Sequence, residues 1–247
     1  MILFCIFYNI NKGFYIDIGA NDPNYISVTK AFYLNGWNGI NIEPQPEKYL
    51  SLLKSRSKDI NLQIGVGEKK GNETLYLFGA GSTLFKKFLK KPNKIINIKI
   101  DTMLNVCKDY IKKNIKIQFC KIDVEGNEKN VLLGYDFNNC RAEVFMIEST
   151  IPGTAIPYYS HWEKILLEND YSFVYQYSIN RFYVDNRIPN LKKKFEHIDE
   201  YLNYFMFCIF FGLNNFNIFY YYLKKYFQLS NIINFKDLFE VIFTIII

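Results

Sequence analysis

The sequence predicts an α/β fold: a mostly parallel, doubly wound, Rossmann-like sheet with a closing antiparallel hairpin. Three observations predict it. Short apolar runs alternate with helix-period segments, giving three strands and two helices within the first 67 residues. The stretch Gly13 to Pro23 reads as a buried strand, a glycine turn and a helix start, the unit that marks the ligand crevice of such sheets. Acids recur at the ends of strands, at Asp17, Glu43, Asp123 and Glu148.

Taken in order, Phe14 to Ile18 is rich in aromatic and branched residues, as an interior parallel strand requires. Gly19 permits a turn closed to other residues. Asp22-Pro23 has the form of a helix cap followed by a first-turn proline. Tyr25, Val28 and Phe32 then share a helical face, and Gly36 stops it. Trp37 to Ile42 is a second strand ending at Glu43, and Pro46 opens a helix with Tyr49, Leu50 and Leu53 inward. Ile60 to Val66 is predicted as a third strand. Gly71 to Phe78 forms a short strand before the loop Gly79 to Thr83, and Lys86 to Lys94 is basic and solvated. Ile96, Ile98 and Ile100 alternate as in a half-exposed strand, with Asp101 or Thr102 capping the next helix. Ile115 to Ile122 is a buried strand running into Asp123-Val124-Glu125-Gly126. Asn127 to Leu133 is helical, and Val144 to Ile147 is a strand ending at Glu148. A helix at Trp162 to Glu168 precedes the antiparallel pair Tyr171 to Gln176 and Arg181 to Val184.

At 247 residues the chain suffices for one domain with a large core and an appendage. The domain is expected over 1–189, with its core at 13–184, and the aromatic-rich appendage over 190–247. The formal charge of +6 is spread over scattered lysines, so no nucleic-acid partner is indicated. Five cysteines without a C-x-x-C pair read as buried, reduced thiols of a cytoplasmic protein. The apolar start, Met1 to Tyr8, lacks a basic leader and a small-residue cleavage site; an edge strand or a disordered start is expected. Tyr201 to Leu223 is a 23-residue stretch without a charged side chain. Its four asparagines are costly in hydrocarbon, which leaves three readings: an appendage, peripheral membrane contact, or a span.

Glu43 lies 24 positions after Gly19, close to the spacing at which a carboxylate grips a ribose. The dinucleotide fingerprint needs further glycines, yet Gly19 is followed by Ala20-Asn21-Asp22-Pro23, and Asp22 would repel a phosphate. That pattern argues against a nicotinamide-dependent oxidoreductase. A nucleoside ligand that carries positive charge instead of phosphate, such as S-adenosylmethionine, suits these residues better.

Asp-Ile-Gly-Ala-Asn (Asp17 to Asn21), Asn-Ile-Glu-Pro (Asn41 to Pro44) and Lys-Ile-Asp-Val-Glu-Gly-Asn-Glu (Lys121 to Glu128) occur in order. Together they resemble the FkbM family of S-adenosylmethionine-dependent methyltransferases, whose fold is that of the class I methyltransferases. The resemblance covers about Gly13 to Val184, and Ser-Val-Thr-Lys-Ala-Phe-Tyr, Gly36-Trp37 and Asn180 to Val184 are similar to a branch often found among bacterial surface-glycan genes. It implies that Asp17, Gly19, Ala20 and Asn21 border the methionine part of the cofactor. Glu43, with Pro44, would meet its ribose, Gly65 and Val66 its adenine, and Ser82 would approach it from a loop. Asp123 and Glu125 would sit near the transferring methyl, and Glu148 would face the acceptor. Asp22-Pro23 departs from relatives that carry a residue and then glycine there, and the resemblance leads to the expectation that an upstream segment, and with it part of the acceptor side, is lacking.

A hydroxyl acceptor profits from a base, for which Asp123, Glu125, Glu148 and His161 are the candidates. The three acids offer oxygen ligands for Mg²⁺, but their spacing does not demand a metal and none is assigned. Tyr158, Tyr159 and Trp162 either stack on a sugar or pack in the core. The expected activity is O-methylation of a saccharide or similar small polar acceptor. The competing reading is a catalytically degenerate, membrane-associated relative that binds the cofactor without turnover.

Overall fold

A computed structural model describes residues 2–7, 9–78, 81–88, 92–200 and 202. Residues 11–189 form one compact unit, and those up to 10 and from 190 onward fall in a second. In that second unit the apolar start is a helix, α1 (Ile2–Phe7), rather than a strand. Lys194 Nζ donates to the Ile6 carbonyl at 2.7 Å, and Leu191, Phe195 and Ile198 are buried. The stretch 203–223 lies outside the described residues. Among the described residues no helix is long and apolar enough to cross a membrane.

The larger unit follows the expected alternation: β1 (Phe14–Ile18), α2 (Lys30–Leu34), β2 (Asn38–Ile42), α3 (Pro46–Ser55) and β3 (Ile60–Leu62). Next come β4 (Gly65–Val66), β5 (Gly71–Leu77), β6 (Lys94–Asp101), α4 (Met103–Tyr110), β7 (Ile117–Ile122), α5 (Glu128–Leu133) and β8 (Ala142–Glu148). The chain continues through α6 (Glu163–Glu168), β9 (Tyr171–Tyr177), β10 (Asn180–Asp185) and α7 (Pro189–Glu196), which leads into the second unit. Seven strands form a sheet in the order β3-β2-β1-β7-β8-β10-β9. The first five pair in parallel, and β10 runs antiparallel to both β8 and β9. All six residues of β7 are buried, as a strand covered on both faces must be. The sheet and its covering helices close over one core, in which Ile16, Ile40, Ile122, Phe145, Trp162 and Tyr183 are almost fully buried.

Some expectations are corrected. Ile60 to Val66 is two strands: β3 extends the large sheet, whereas β4 joins β6 and β5 in a separate three-stranded sheet. Asp22-Pro23 starts no helix. Asp22 Oδ1 accepts from the Asn24 and Tyr25 amides, at 2.9 and 3.0 Å, in a turn, and α2 begins only at Lys30. Tyr25 is therefore exposed rather than part of a helical core face. The buried Arg56 guanidinium holds this segment through the Pro23 carbonyl (2.7 Å), Ser27 Oγ (2.9 Å) and the Thr29 carbonyl (3.4 Å). On α3, Leu52 is buried while Leu50 and Leu53 are exposed, so the inward face is rotated from the expected one. Cys107 and Cys140 are joined as a disulfide between α4 and the segment before β8, not reduced thiols.

Gly19 ends β1 with φ +79°, and a Cβ there would collide with the Asp123 carbonyl. Gly19→Ala is expected to cost about 2–4 kcal/mol in urea unfolding, combining a left-handed alanine with a forced separation of β1 from β7. A loss below about 0.5 kcal/mol would show that the close approach is not required.

Candidate active site

Strand register places the site. Ile42, Ile18, Ile122 and Ile147 form one row across β2, β1, β7 and β8. The next residues along these strands are Glu43, Gly19, Asp123 and Glu148, at the carboxyl edge of the sheet. Connections diverge on either side of β1, so this edge is the switch point where open α/β sheets bind ligands. The ladder continues past the strand ends: Gly19 N and Ala20 N donate to the Ile42 carbonyl, Glu43 N to Leu62 and Asp123 N to Ile18.

One row back, Asp17 and Lys121 are neighbours on β1 and β7. Lys121 Nζ lies 3.2 Å from Asp17 Oδ1 and 3.4 Å from Asp123 Oδ2, and donates to the Gly19 carbonyl at 2.6 Å. Burial works against its charge, but the two carboxylates prevail and hold the ammonium above its ordinary range. Thr29 Oγ1 donates to the other Asp17 oxygen at 2.8 Å.

Glu43 is nearly buried, and desolvation raises its carboxyl despite amide donors. Its two oxygens accept from Asn21 N and Gln45 N, each at 2.8 Å. The first of these bonds supports Asn21 in the left-handed region at φ 50°. Asn21 Oδ1 is buried without a hydrogen-bond partner.

On the other side stand Asp123, Glu125 and Glu148, each with a carboxylate oxygen within 4.8 Å of the others. Burial, then the charges of Asp123 and Glu128, push Glu125 up to about 8. Burial, then Asp123 and Glu125, push Glu148 up to about 10. Glu128, on α5, is raised to about 7 by burial even though Gly126 N and Val124 N donate to it.

A cleft of about 310 Å³ opens onto these groups. Every residue assigned to the cofactor lines it: Asp17, Gly19, Ala20, Asn21, Glu43, Pro44, Gly65, Val66, Ser82 and Asp123. Glu125 lines it too; Glu148 belongs to the carboxylate cluster, but neither it nor His161 is on the wall. The His161 ring packs on Tyr158 at 4.0 Å, and Tyr158 meets Phe88, which covers Gly126. Trp162 is fully buried and Tyr159 stacks on the Arg181 guanidinium, so these two aromatics serve the core. Of the loop before Thr83, residues 79–80 lie outside the described residues.

Lys121, Thr29, Thr83 and Glu128 carry no role in the sequence reading. A lysine inside the otherwise uncharged strand Ile117–Ile122 is the signal that could have found the first. Nothing local marks the others, because their partners lie far along the chain or form only with the turn.

The model of the Methyltransferase FkbM domain matches residues 17–173, well over half of the chain. No curated protein sequence matches it. Among solved structures, Methyltransferase FkbM from Methylobacillus flagellatus KT is 15% identical with a TM-score of 0.42, covering 70% of this chain and 44% of that one. M. capricolum TrmK, solved with S-adenosyl-homocysteine, is 10% identical with a TM-score of 0.34, covering 74% of this chain and 65% of that one. The chain thus spans less than half the length of the first neighbour and under two thirds of the second.

Glu125, Glu128 and Glu148 all hold protons more tightly than free carboxyls near 4.5. The folded state therefore binds more protons than the unfolded chain as pH rises from that value. The stability these groups contribute is complete below 4.5 and is lost as pH rises through about 7, 8 and 10. The urea midpoint is expected to be lower at pH 9 than at pH 6; a higher one would contradict the raised carboxyls.

Proposed function

The chain belongs to the FkbM methyltransferase family, and from that premise we propose that it transfers a methyl group from S-adenosylmethionine to a hydroxyl of a saccharide or similar small polar acceptor. The observation that carries the proposal is the set of acids on or just beyond β1, β2 and β7, namely Asp17, Glu43, Asp123 and Glu125, that line one cleft.

When bound, the cofactor supplies an electrophilic methyl on a cationic sulfonium. The donor set suits such a ligand. Asp17, Glu43, Asp123 and Glu125 line the cleft with one ammonium, Lys121, among them, an acidic balance that favours a cation. The buried, unpartnered Asn21 Oδ1 offers an acceptor on the wall. Each Glu43 oxygen takes one amide and keeps a further lone pair, enough for the two ribose hydroxyls. Gly65 and Val66 leave room for the flat base, Pro44 and Ala20 bound the ribose side, and Ser82 closes the loop side.

For the chemistry, Glu125 is the proton acceptor of choice, because a base working near neutrality needs a proton affinity near the operating pH. Asp123 stands beside it in the carboxylate cluster, and Glu148, off the cleft wall, keeps its own proton to about 10. Positioning accounts for much of the rate in an in-line transfer. His161, off the cleft wall and packed on Tyr158, is the remaining candidate for the base. The uncharged stretch 201–223 favours one other reading, a membrane-associated relative that binds the cofactor without turnover.

Calorimetry is expected to detect S-adenosylmethionine binding, and Glu43→Ala to weaken it by about 1–3 kcal/mol, the scale of a lost charge-assisted hydrogen bond. Unchanged affinity in that variant would remove the ribose assignment. Labelled methyl transfer to fractionated cell glycans should rise between pH 7 and 9 as Glu125 gives up its proton. Binding without transfer to any fraction, together with recovery in membranes, would favour the second reading.

A further inference from the structure

We propose that Thr83 and Glu128 are positioning residues that clamp the turn Asp123–Gly126 and so aim the Glu125 carboxyl at the reacting hydroxyl. The clamp deepens the methyltransferase reading, and its functional half rests on it. Glu125 and Gly126 both lie in the left-handed region, with φ 54° and 99°. A glutamate adopts that conformation only at a cost, which the contacts that hold the turn offset.

The peptide between the two residues is gripped at both ends. The Glu125 carbonyl accepts from Thr83 Oγ1 at 2.6 Å, and Gly126 N donates to Glu128 Oε1 at 3.0 Å. Glu128 Oε1 also takes the Val124 amide at 3.3 Å, so one carboxyl oxygen spans both sides of Glu125. Thr83 is fully buried, Glu128 is 1% exposed, and neither lines the cleft. A ligand in the cleft therefore touches neither, and each acts through Glu125.

Thr83 is itself fixed from the smaller sheet. Its backbone exchanges two hydrogen bonds with Tyr76 of β5, at 2.9 and 3.1 Å, and its Oγ1 accepts from Phe85 N at 3.1 Å. Gly81, just ahead, passes beside the Glu125 carboxylate, where a Cβ would come within 3.9 Å. The three-stranded sheet β4-β6-β5 thereby gains a part in the site, because it carries the hydroxyl that sets the turn after β7 of the larger sheet. The groups facing Glu125 are Asp123 and Lys121 from β7 and its end, Glu128 from α5 and Glu148 from β8. A carboxyl released from the clamp would leave that acidic company.

Thr83→Val exchanges the hydroxyl for a methyl of similar size, and Thr83→Ser keeps the hydroxyl. Carbon-13 NMR titration of the glutamate carboxyls reads the position of Glu125 without cofactor or acceptor. The Glu125 midpoint is expected near 8 in the wild type and in Thr83→Ser, and at least one pH unit lower in Thr83→Val. Labelled methyl transfer to cell glycans should fall at least tenfold in Thr83→Val and stay within threefold in Thr83→Ser. S-adenosyl-homocysteine affinity should stay within twofold in both. An unmoved midpoint in Thr83→Val, or equal shifts in the two variants, would overturn the clamp. A moved midpoint with undiminished transfer would overturn its role in the reaction. A moved midpoint in a protein that does not bind S-adenosyl-homocysteine would leave the clamp standing and remove the methyltransferase reading instead.

Discussion

The site depends on one buried cation. Lys121 sits on a strand whose six residues are all buried and reaches Asp17, Asp123 and the Gly19 carbonyl with a single ammonium. Those three partners belong to the strand β1, the segment after β7 and the turn after β1. Joining them ties the two central strand ends together at the level where the cleft begins. A buried charge with its partner removed typically costs about 3–5 kcal/mol, which makes such a hub costly to alter piecemeal.

Around that hub the charges do not balance. Six carboxyls, those of Asp17, Glu43, Asp123, Glu125, Glu128 and Glu148, share the region with one ammonium, and the structure responds in two ways. Glu43 spreads its charge over two backbone amides, and Glu125, Glu128 and Glu148 retain protons to about 8, 7 and 10. An acidic pocket that keeps protons near neutrality is suited both to receiving a cationic ligand and to taking a proton from a hydroxyl. The one surplus serves both, because the acids that attract the ligand stand next to those that titrate.

The alternation of strands and helices, the hairpin and the strand-end acids were legible from the sequence because each is a local pattern. Phe14–Ile18 and Ile117–Ile122 announce themselves as interior strands, and a parallel register then forces Glu43, Asp123 and Glu148 to one edge. What was not legible depends on distant partners. Leu50 and Leu53 match an inward helical face, yet the neighbours offered to α3 bury Leu52 instead. Asp22 and Pro23 have the composition of a helix start, but Arg56, 33 residues away, holds the Pro23 carbonyl and keeps the segment from turning helical until Lys30. Cys107 and Cys140 lie 33 residues apart with no motif between them, so their bond appears only once α4 meets the approach to β8.

Asp22 is where the chain departs from the family pattern that places a glycine one step further on, and the structure gives that departure a physical account. One oxygen of Asp22 caps the turn amides of Asn24 and Tyr25, and the other pairs with Lys48 at 3.1 Å. Both oxygens are thus engaged, and the amides with the Lys48 ammonium hold the carboxyl below its usual range although burial opposes them. The residue does not line the cleft. The negative charge that would repel a phosphate is therefore neutralised beside the site, not within it. The pyrophosphate is excluded instead by the turn itself: Gly19 lies against the Asp123 carbonyl, and the amides of Gly19 and Ala20 are committed to Ile42, so neither is free to cradle an anion. What remains at the turn is acceptors, namely the Asn21 amide oxygen and the carboxylates of Asp17 and Glu43. A turn whose Gly19 and Ala20 amides are committed and whose wall carries these acceptors suits a ligand that brings hydroxyls and positive charge.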